Sequence, residues 1–215
     1  MTQIAPSEPE APFYTGVAER LIEAGMREFV RHGFQGASIS QIVEAAECNV
    51  RMIYHYFGNK LGLYRACIDR AYAELRQAER EATFWSLPPR AAMAELVRFT
   101  YDYMVAHPEF QGLMRIENMA DGAHVRGLEQ VSARAESLFD AIARVLDAGR
   151  AAGAFSRRPD PGRLYLTILG LCTIHVSNRH TMGVVMGCDL ADPVFLADRR
   201  EEVVAVVLAA LGAAA

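Results

Sequence analysis

The chain is poor in the features that mark most enzymes, secreted proteins and membrane proteins. It has four cysteines, Cys48, Cys67, Cys172 and Cys188, none in a C-x-x-C pair and none at metal-ligand spacing. They read as reduced thiols of a cytoplasmic protein. Its histidines are no better arranged for metal. His175 and His180 are five apart, a poor spacing for one helix face, and His32, His55 and His107 are scattered. No Ser-His-Asp arrangement and no glycine-rich phosphate loop is present, so neither a catalytic site nor a cofactor is expected. Residues 1–12 contain no lysine, arginine or apolar core, which excludes a signal peptide, and their prolines and glutamates point to a disordered tail over 1–13. The apolar run from Leu164 to Val176 is shorter than the roughly 20 residues a membrane span needs. Sustained period-two alternation and hairpin turn pairs are also missing, which excludes a sheet protein.

What remains is helical. Hydrophobic residues make up 52% of the chain and charged residues 22%, an ordinary balance for a folded soluble protein with a sizeable core. The net charge is −4 and the pI about 5.9. That balance argues against a nonspecific nucleic-acid coat but leaves room for a local basic patch. Ala18, Leu21, Ile22, Gly25, Met26 and Phe29 form one apolar stripe, and Gly33 stands where the helix should be capped. Ser38 reads as the N-cap of a short helix, SISQIVEAA, with Ile39, Ile42 and Val43 inward. A turn at Glu47-Cys48 leads to a second short helix over about 49–57. Further helices are expected over about 60–83, from Pro89 or Arg90 to 106, 109–120, 126–152 and 161–181. A last one runs from Pro193 or Ala197 to 211. The fold class is all-α, with about nine helices and no internal repeat.

Two short helices at this spacing, after a scaffold helix, form a helix-turn-helix pattern. In that design the second helix enters the major groove and the first braces it against the backbone. The run AGMREFVRHGFQGASISQIVEAAECNVRMIYHYFGNKLGLY resembles the DNA-binding domain of the TetR family of regulators. The resemblance is carried by Phe29, Gly33-Phe34, Ser38, Ile42, Ala46, Asn49, Ile53-Tyr54, Tyr56-Phe57, Lys60 and Leu63. It implies a helix-turn-helix domain over 14–62, with a connecting helix from about 60, and a ligand-binding and dimerisation domain over 63–215. It further implies a repressor that binds a palindromic operator as a homodimer and is released by a small-molecule effector. An activator of the same fold, or a helical interaction module without DNA binding, are the alternatives.

The residues can be given roles. Ser38 and Ser40 offer hydroxyls to a phosphate, Ser38 also capping its helix. Asn49 caps the recognition helix and can touch the DNA backbone. Val50, Arg51, Met52 and His55 face the groove, where a guanidinium can grip guanine O6 and N7 together and an apolar side chain can meet a thymine methyl. Tyr54 and Lys60 resemble the family's phosphate-contacting tyrosine and lysine. Tyr56 and Phe57 read as packing residues. Lys60 is the only lysine of the chain, and from Asn49 to Arg65 the charged residues are Arg51, Lys60 and Arg65, with no acid. Three positions depart from the family pattern. Glu47 stands where glycine is common, so a positive φ there would carry strain. Arg51 replaces a small residue, and Gly25 replaces alanine at a helix cost of up to about 1 kcal/mol.

Past residue 63 the resemblance is weaker. The stretch EVVAVVLAAL over 202–211 is apolar nearly all round and must be buried on more than one side, so the last two long helices are the expected dimer surface. Polar groups set among apolar helical faces mark the candidate effector site. They are Tyr101 and Met104, then Phe110, Met114, Glu117 and Asn118, then His175, Asn178 and Arg179. EFQGLMRIEN and SNRHTMGVVMG resemble a subgroup that senses small metabolites, including aromatic acids.

Overall fold

The computed structural model describes residues 16–213; the 1–13 tail expected from the sequence lies outside them. Among the described residues there are ten α-helices and no β-strand. They are α1 (Val17–Gly36), α2 (Ile39–Ala45), α3 (Arg51–Phe57), α4 (Lys60–Glu81), α5 (Pro89–Ala106), α6 (Pro108–Met119), α7 (Glu129–Ala151), α8 (Pro161–Ser177), α9 (Arg179–Met186) and α10 (Pro193–Ala210). A short 3₁₀ turn covers Thr83–Ser86.

Local chemistry sets the helix ends. Gly33 has φ 69°, a value costly for any residue with a Cβ, and it kinks α1 at the expected cap. Asp160 and Asp192 accept hydrogen bonds from the first free N–H groups of α8 and α10, and Pro161 and Pro193 occupy the first helical turn. The single helix expected over 161–181 is two helices. Asn178 has non-helical φ and ψ of −113° and 18°, so α8 stops at Ser177 and α9 starts at Arg179. The run from Ser177 to Thr181 is polar but holds no proline or glycine, the residues that mark a helix break in a sequence.

The chain divides into two compact units. Among the described residues the first comprises 16–77 and 112–135. Its core is Leu21, Ile22, Phe29, Ile42, Ile53, Leu63, Tyr64, Ile68 and Leu113. Gly25 lets α1 lie close to α4: a Cβ there would stand 3.2 Å from the Cys67 sulfur and 3.4 Å from Leu63. The second unit comprises 78–111 and 136–213 of the described residues. There α5, α8 and α10 pack on one another around Leu96, Val97, Ile168, Cys172, Val203 and Val207.

Candidate DNA-binding interface and effector site

In the first unit, α1, α2 and α3 pack together, and side-chain caps fix each junction. The Ser38 hydroxyl accepts from the Gln41 N–H at 3.4 Å and lies 2.7 Å from the Ser40 hydroxyl. The Ser38 N–H donates to Glu28 at 2.9 Å. The turn after α2 is held by Arg20, whose Nε donates to the Ala46 carbonyl at 2.9 Å. Glu47 has φ 49°, the left-handed conformation that its glycine-like position demands. Asn49 Oδ1 accepts from the Arg51 N–H at 2.9 Å, capping α3, and Asn59 Oδ1 accepts from the Gly62 N–H at 2.9 Å, capping α4. Gly62 is required by close approach, since a Cβ there would run into the Phe57 carbonyl oxygen.

With seven residues, α3 spends one face on the core and the rest on solvent. Ile53 is fully buried; Val50, Arg51, Tyr54 and His55 are exposed and Met52 is half-buried. Tyr56, expected from the sequence in the packing, is instead 42% exposed and meets His55 edge to face at 4.8 Å. A helix this short has no second buried face for its ring. Phe57 is half-buried. Lys60, at the start of α4, donates from Nζ to the Gln35 carbonyl at 3.1 Å and stands 5.3 Å from the centre of the Phe34 ring. The exposed face of α3 and the α4 N-terminus thus carry Arg51 and Lys60 with no acid between them. Ser38, Ser40, Asn49 and these residues all belong to the first unit.

The nine candidate effector residues divide. Met114, Glu117 and Asn118 lie in the first unit, and Tyr101, Met104, Phe110, His175, Asn178 and Arg179 in the second. Met114 accepts from the Tyr72 hydroxyl at 3.0 Å, and exposed Asn118 donates to the Met114 carbonyl at 2.8 Å. Glu117 is buried and fully engaged. Its carboxylate accepts from the His124 N–H at 3.1 Å, the Val125 N–H at 3.0 Å and the His124 ring Nδ1–H at 2.8 Å. Burial alone would raise its carboxyl, but these hydrogen bonds outweigh burial and hold it below the ordinary value of 4.5.

In the second unit, Tyr101 of α5 and His175 of α8 stack face to face, centroids 4.6 Å apart at 11°. His175 is 3% exposed, and neither of its ring nitrogens has a hydrogen-bond partner among the described residues; nor does the Tyr101 hydroxyl. Burial first, and the positive charge of Arg199 second, hold the imidazole down to about 4, so it is neutral at pH 7. Burial pushes the Tyr101 phenol up to about 12. Met104 and Phe110 are buried, whereas Asn178 and Arg179 are exposed at the α8–α9 junction. The approach of Tyr101 to His175 is thus what the fold adds to residues 74 apart in sequence.

Two family models match. One, described as bacterial regulatory proteins, tetR family, covers residues 21–67. The other, described as tetracyclin repressor-like, C-terminal domain, covers 89–207. The HTH-type transcriptional repressor NicS of Pseudomonas putida is 36% identical over 180 residues, spanning 84% of this chain and 85% of the relative. The HTH-type transcriptional repressor SCO4008 of Streptomyces coelicolor is 30% identical, spanning 77% of this chain and 79% of the relative. Among solved structures, the putative transcriptional regulator SCO4942 of Streptomyces coelicolor superposes with a TM-score of 0.69 at 19% identity, over 92% of this chain and 99% of that one.

Proposed function

The chain belongs to the tetR family of bacterial regulatory proteins and is a DNA-binding transcriptional regulator, not an enzyme; on that footing we propose that it is a repressor that binds an inverted-repeat operator as a homodimer and leaves it when an effector occupies the helical domain. The observation that carries the DNA half is the exposed, acid-free face made by α3 and the start of α4. Arg51 reads a guanine, Val50 and Met52 meet base edges, and His55 faces the groove beside them. Ser38, Ser40, Asn49, Tyr54 and Lys60 hold the phosphates, which fixes register without reading sequence. No described helix is long and apolar enough to cross a membrane, and the reading places the protein in the cytoplasm, with its DNA.

The homodimer is supported by two exposed stripes. Along α8, Arg163, Leu166, Thr167, Gly170, Ile174 and Ser177 recur at helical spacing and are all exposed, Leu166 at 70%. On α10, Ala205, Val206, Ala209 and Ala210 do the same. Small and apolar residues interleaved with polar ones on two helices suit cover by a second copy of the same face with two-fold symmetry. Gly170 offers a clean test. A Cβ there meets nothing within 4 Å in the chain itself, so Gly170→Trp leaves the protomer folded and is expected to convert a dimer into a monomer in sedimentation velocity. A variant that sediments as wild type removes this surface from the reading.

The effector half is supported by the Tyr101–His175 pair. Buried polar groups without partners cost about 1–3 kcal/mol each, a cost that a bound molecule with complementary donors and acceptors would relieve. Such a molecule acts as a release signal if it favours the arrangement that cannot bind DNA.

The experiment for the whole reading is selection. Purified protein is incubated with sheared DNA from its source at moderate salt, and the retained fragments are sequenced. One short inverted repeat is expected to be enriched, and its neighbouring genes would nominate the effector. Enrichment of unrelated fragments, or of none, would reject an operator-binding repressor.

A further inference from the structure

The segment 112–135 lies far along the chain from the helix-turn-helix yet belongs to the same compact unit. It is tied to that unit at several points. The Arg134 guanidinium donates to buried Asp69 of α4, Tyr72 of α4 donates to Met114, and a Cβ on Gly112 would collide with Val30 of α1. Its most unusual part is the loop after α6, where Asp121, Gly122 and Gly127 have φ of 53°, 68° and 87°. A left-handed aspartate costs energy, and such strain persists only where the surroundings impose it. What the loop achieves is to fold His124 back onto α6. There Glu117 takes the backbone N–H of His124, the backbone N–H of Val125 and the His124 ring together.

So held, the His124 ring lies 4.6 Å from the Phe34 ring and 5.2 Å, edge to face, from Tyr64. Phe34 stands directly after the Gly33 kink. Its ring also faces the Lys60 ammonium, which donates to the carbonyl of the next residue, Gln35. A continuous set of contacts therefore runs from Glu117 through His124 and Phe34 to Lys60. We propose that Glu117 and His124 are positioning residues for DNA binding: they hold Phe34 and the end of α1 in place, and so hold Lys60 where it can meet a phosphate. This rests on the reading of Lys60 as a phosphate contact.

The test uses full-length protein and a duplex that the wild type selects from a random-sequence library. Affinity is measured across a series of KCl concentrations for wild type, His124→Ala, Lys60→Gln and the double variant. Each phosphate contact contributes about 0.9 to the slope of log affinity against log salt, counted once per protomer. Lys60→Gln is expected to lower the slope by one contact per protomer. His124→Ala should lower it by the same amount, and the double variant should show no further fall. A residue that merely stabilised the fold would leave the slope of the folded protein unchanged. Glu117→Gln, which keeps the side chain's shape and its acceptor oxygen, covers the case in which His124→Ala does not fold, and is expected to lower the slope part of the way. A normal slope in the folded His124 or Glu117 variant, with Lys60→Gln lowered, overturns the positioning role alone. A normal slope in Lys60→Gln overturns the phosphate reading and the positioning role with it.

Discussion

The helix ends of the first unit and the α5–α8 contact of the second handle polar groups in different ways. In the first, polar side chains near the DNA face are used up locally. Ser38, Asn49 and Asn59 accept from the free N–H groups of α2, α3 and α4, and Glu117 takes three donors at once. In the second, the Tyr101–His175 pair sits inside the protein with three polar atoms unpartnered. On the proposed reading, the difference follows from what each unit has to meet. A duplex is a large, fixed polyanion that is recognised by a rigid exposed face, so pre-organised caps and a positive surface serve it. A small molecule is recognised by being enclosed, so interior polar groups left unsatisfied are where its own groups would go.

The contrast breaks down if substitutions on the DNA face unfold the protein, or if removing the buried imidazole by itself abolishes operator binding, which sets the tests in order of size. Replacing Arg51 and Lys60 together by alanine is expected to weaken operator binding roughly a thousandfold, about 4 kcal/mol over two protomers, with the helical content unchanged. Fluorescence anisotropy and circular dichroism measure the two. Loss of helix, or less than tenfold loss of affinity, would contradict a DNA face separable from the rest.

The next effect belongs to His175. Its imidazole is held from 6.5 down to about 4, so the unfolded chain binds the proton more readily. The stability contribution is therefore complete above pH 6.5 and lost progressively as pH falls toward 4. At about 1.4 kcal/mol per pK unit the loss is on the order of 3 kcal/mol. His175→Phe should remove that part of the pH dependence in urea titrations while leaving operator affinity near the wild-type value. A pH profile identical in both proteins would mean that the imidazole is not held neutral.

The smallest effect is at Glu47. Its φ of 49° costs about 1–2 kcal/mol in a residue with a Cβ, partly offset in a glycine variant by greater freedom of the unfolded chain. Glu47→Gly is expected to raise the stability of the helix-turn-helix by up to about 1 kcal/mol, read as a higher urea midpoint. A lower midpoint would show that the turn is not strained.

Much of the first unit was legible in the sequence because its signals are local. Ser38 and Asn49 as caps, the break at Gly33 and the strain at Glu47 each depend on a residue and its neighbours within one turn, and all are present in the fold. Tyr56 was not legible, because an aromatic ring in a seven-residue helix is buried or exposed according to the depth of the neighbouring helices. Nor was the split between α8 and α9, because the polar run from Ser177 to Thr181 carries no proline or glycine to mark it. Glu117, read from sequence as an effector residue, meets His124 only because a loop with three left-handed residues turns back on itself, and His124 carried no signal of its own. Tyr101 and His175 were both singled out as polar groups on apolar faces, but their contact is a property of how α5 packs on α8.

The measurement that bears most directly on the central claim is to repeat the DNA selection with Arg51→Ala. If α3 reads the operator as a dimer, the same inverted repeat returns with preference lost at one base pair in each half-site, a guanine, placed symmetrically about the centre. An unchanged preference at every position would contradict a recognition helix that reads bases through Arg51.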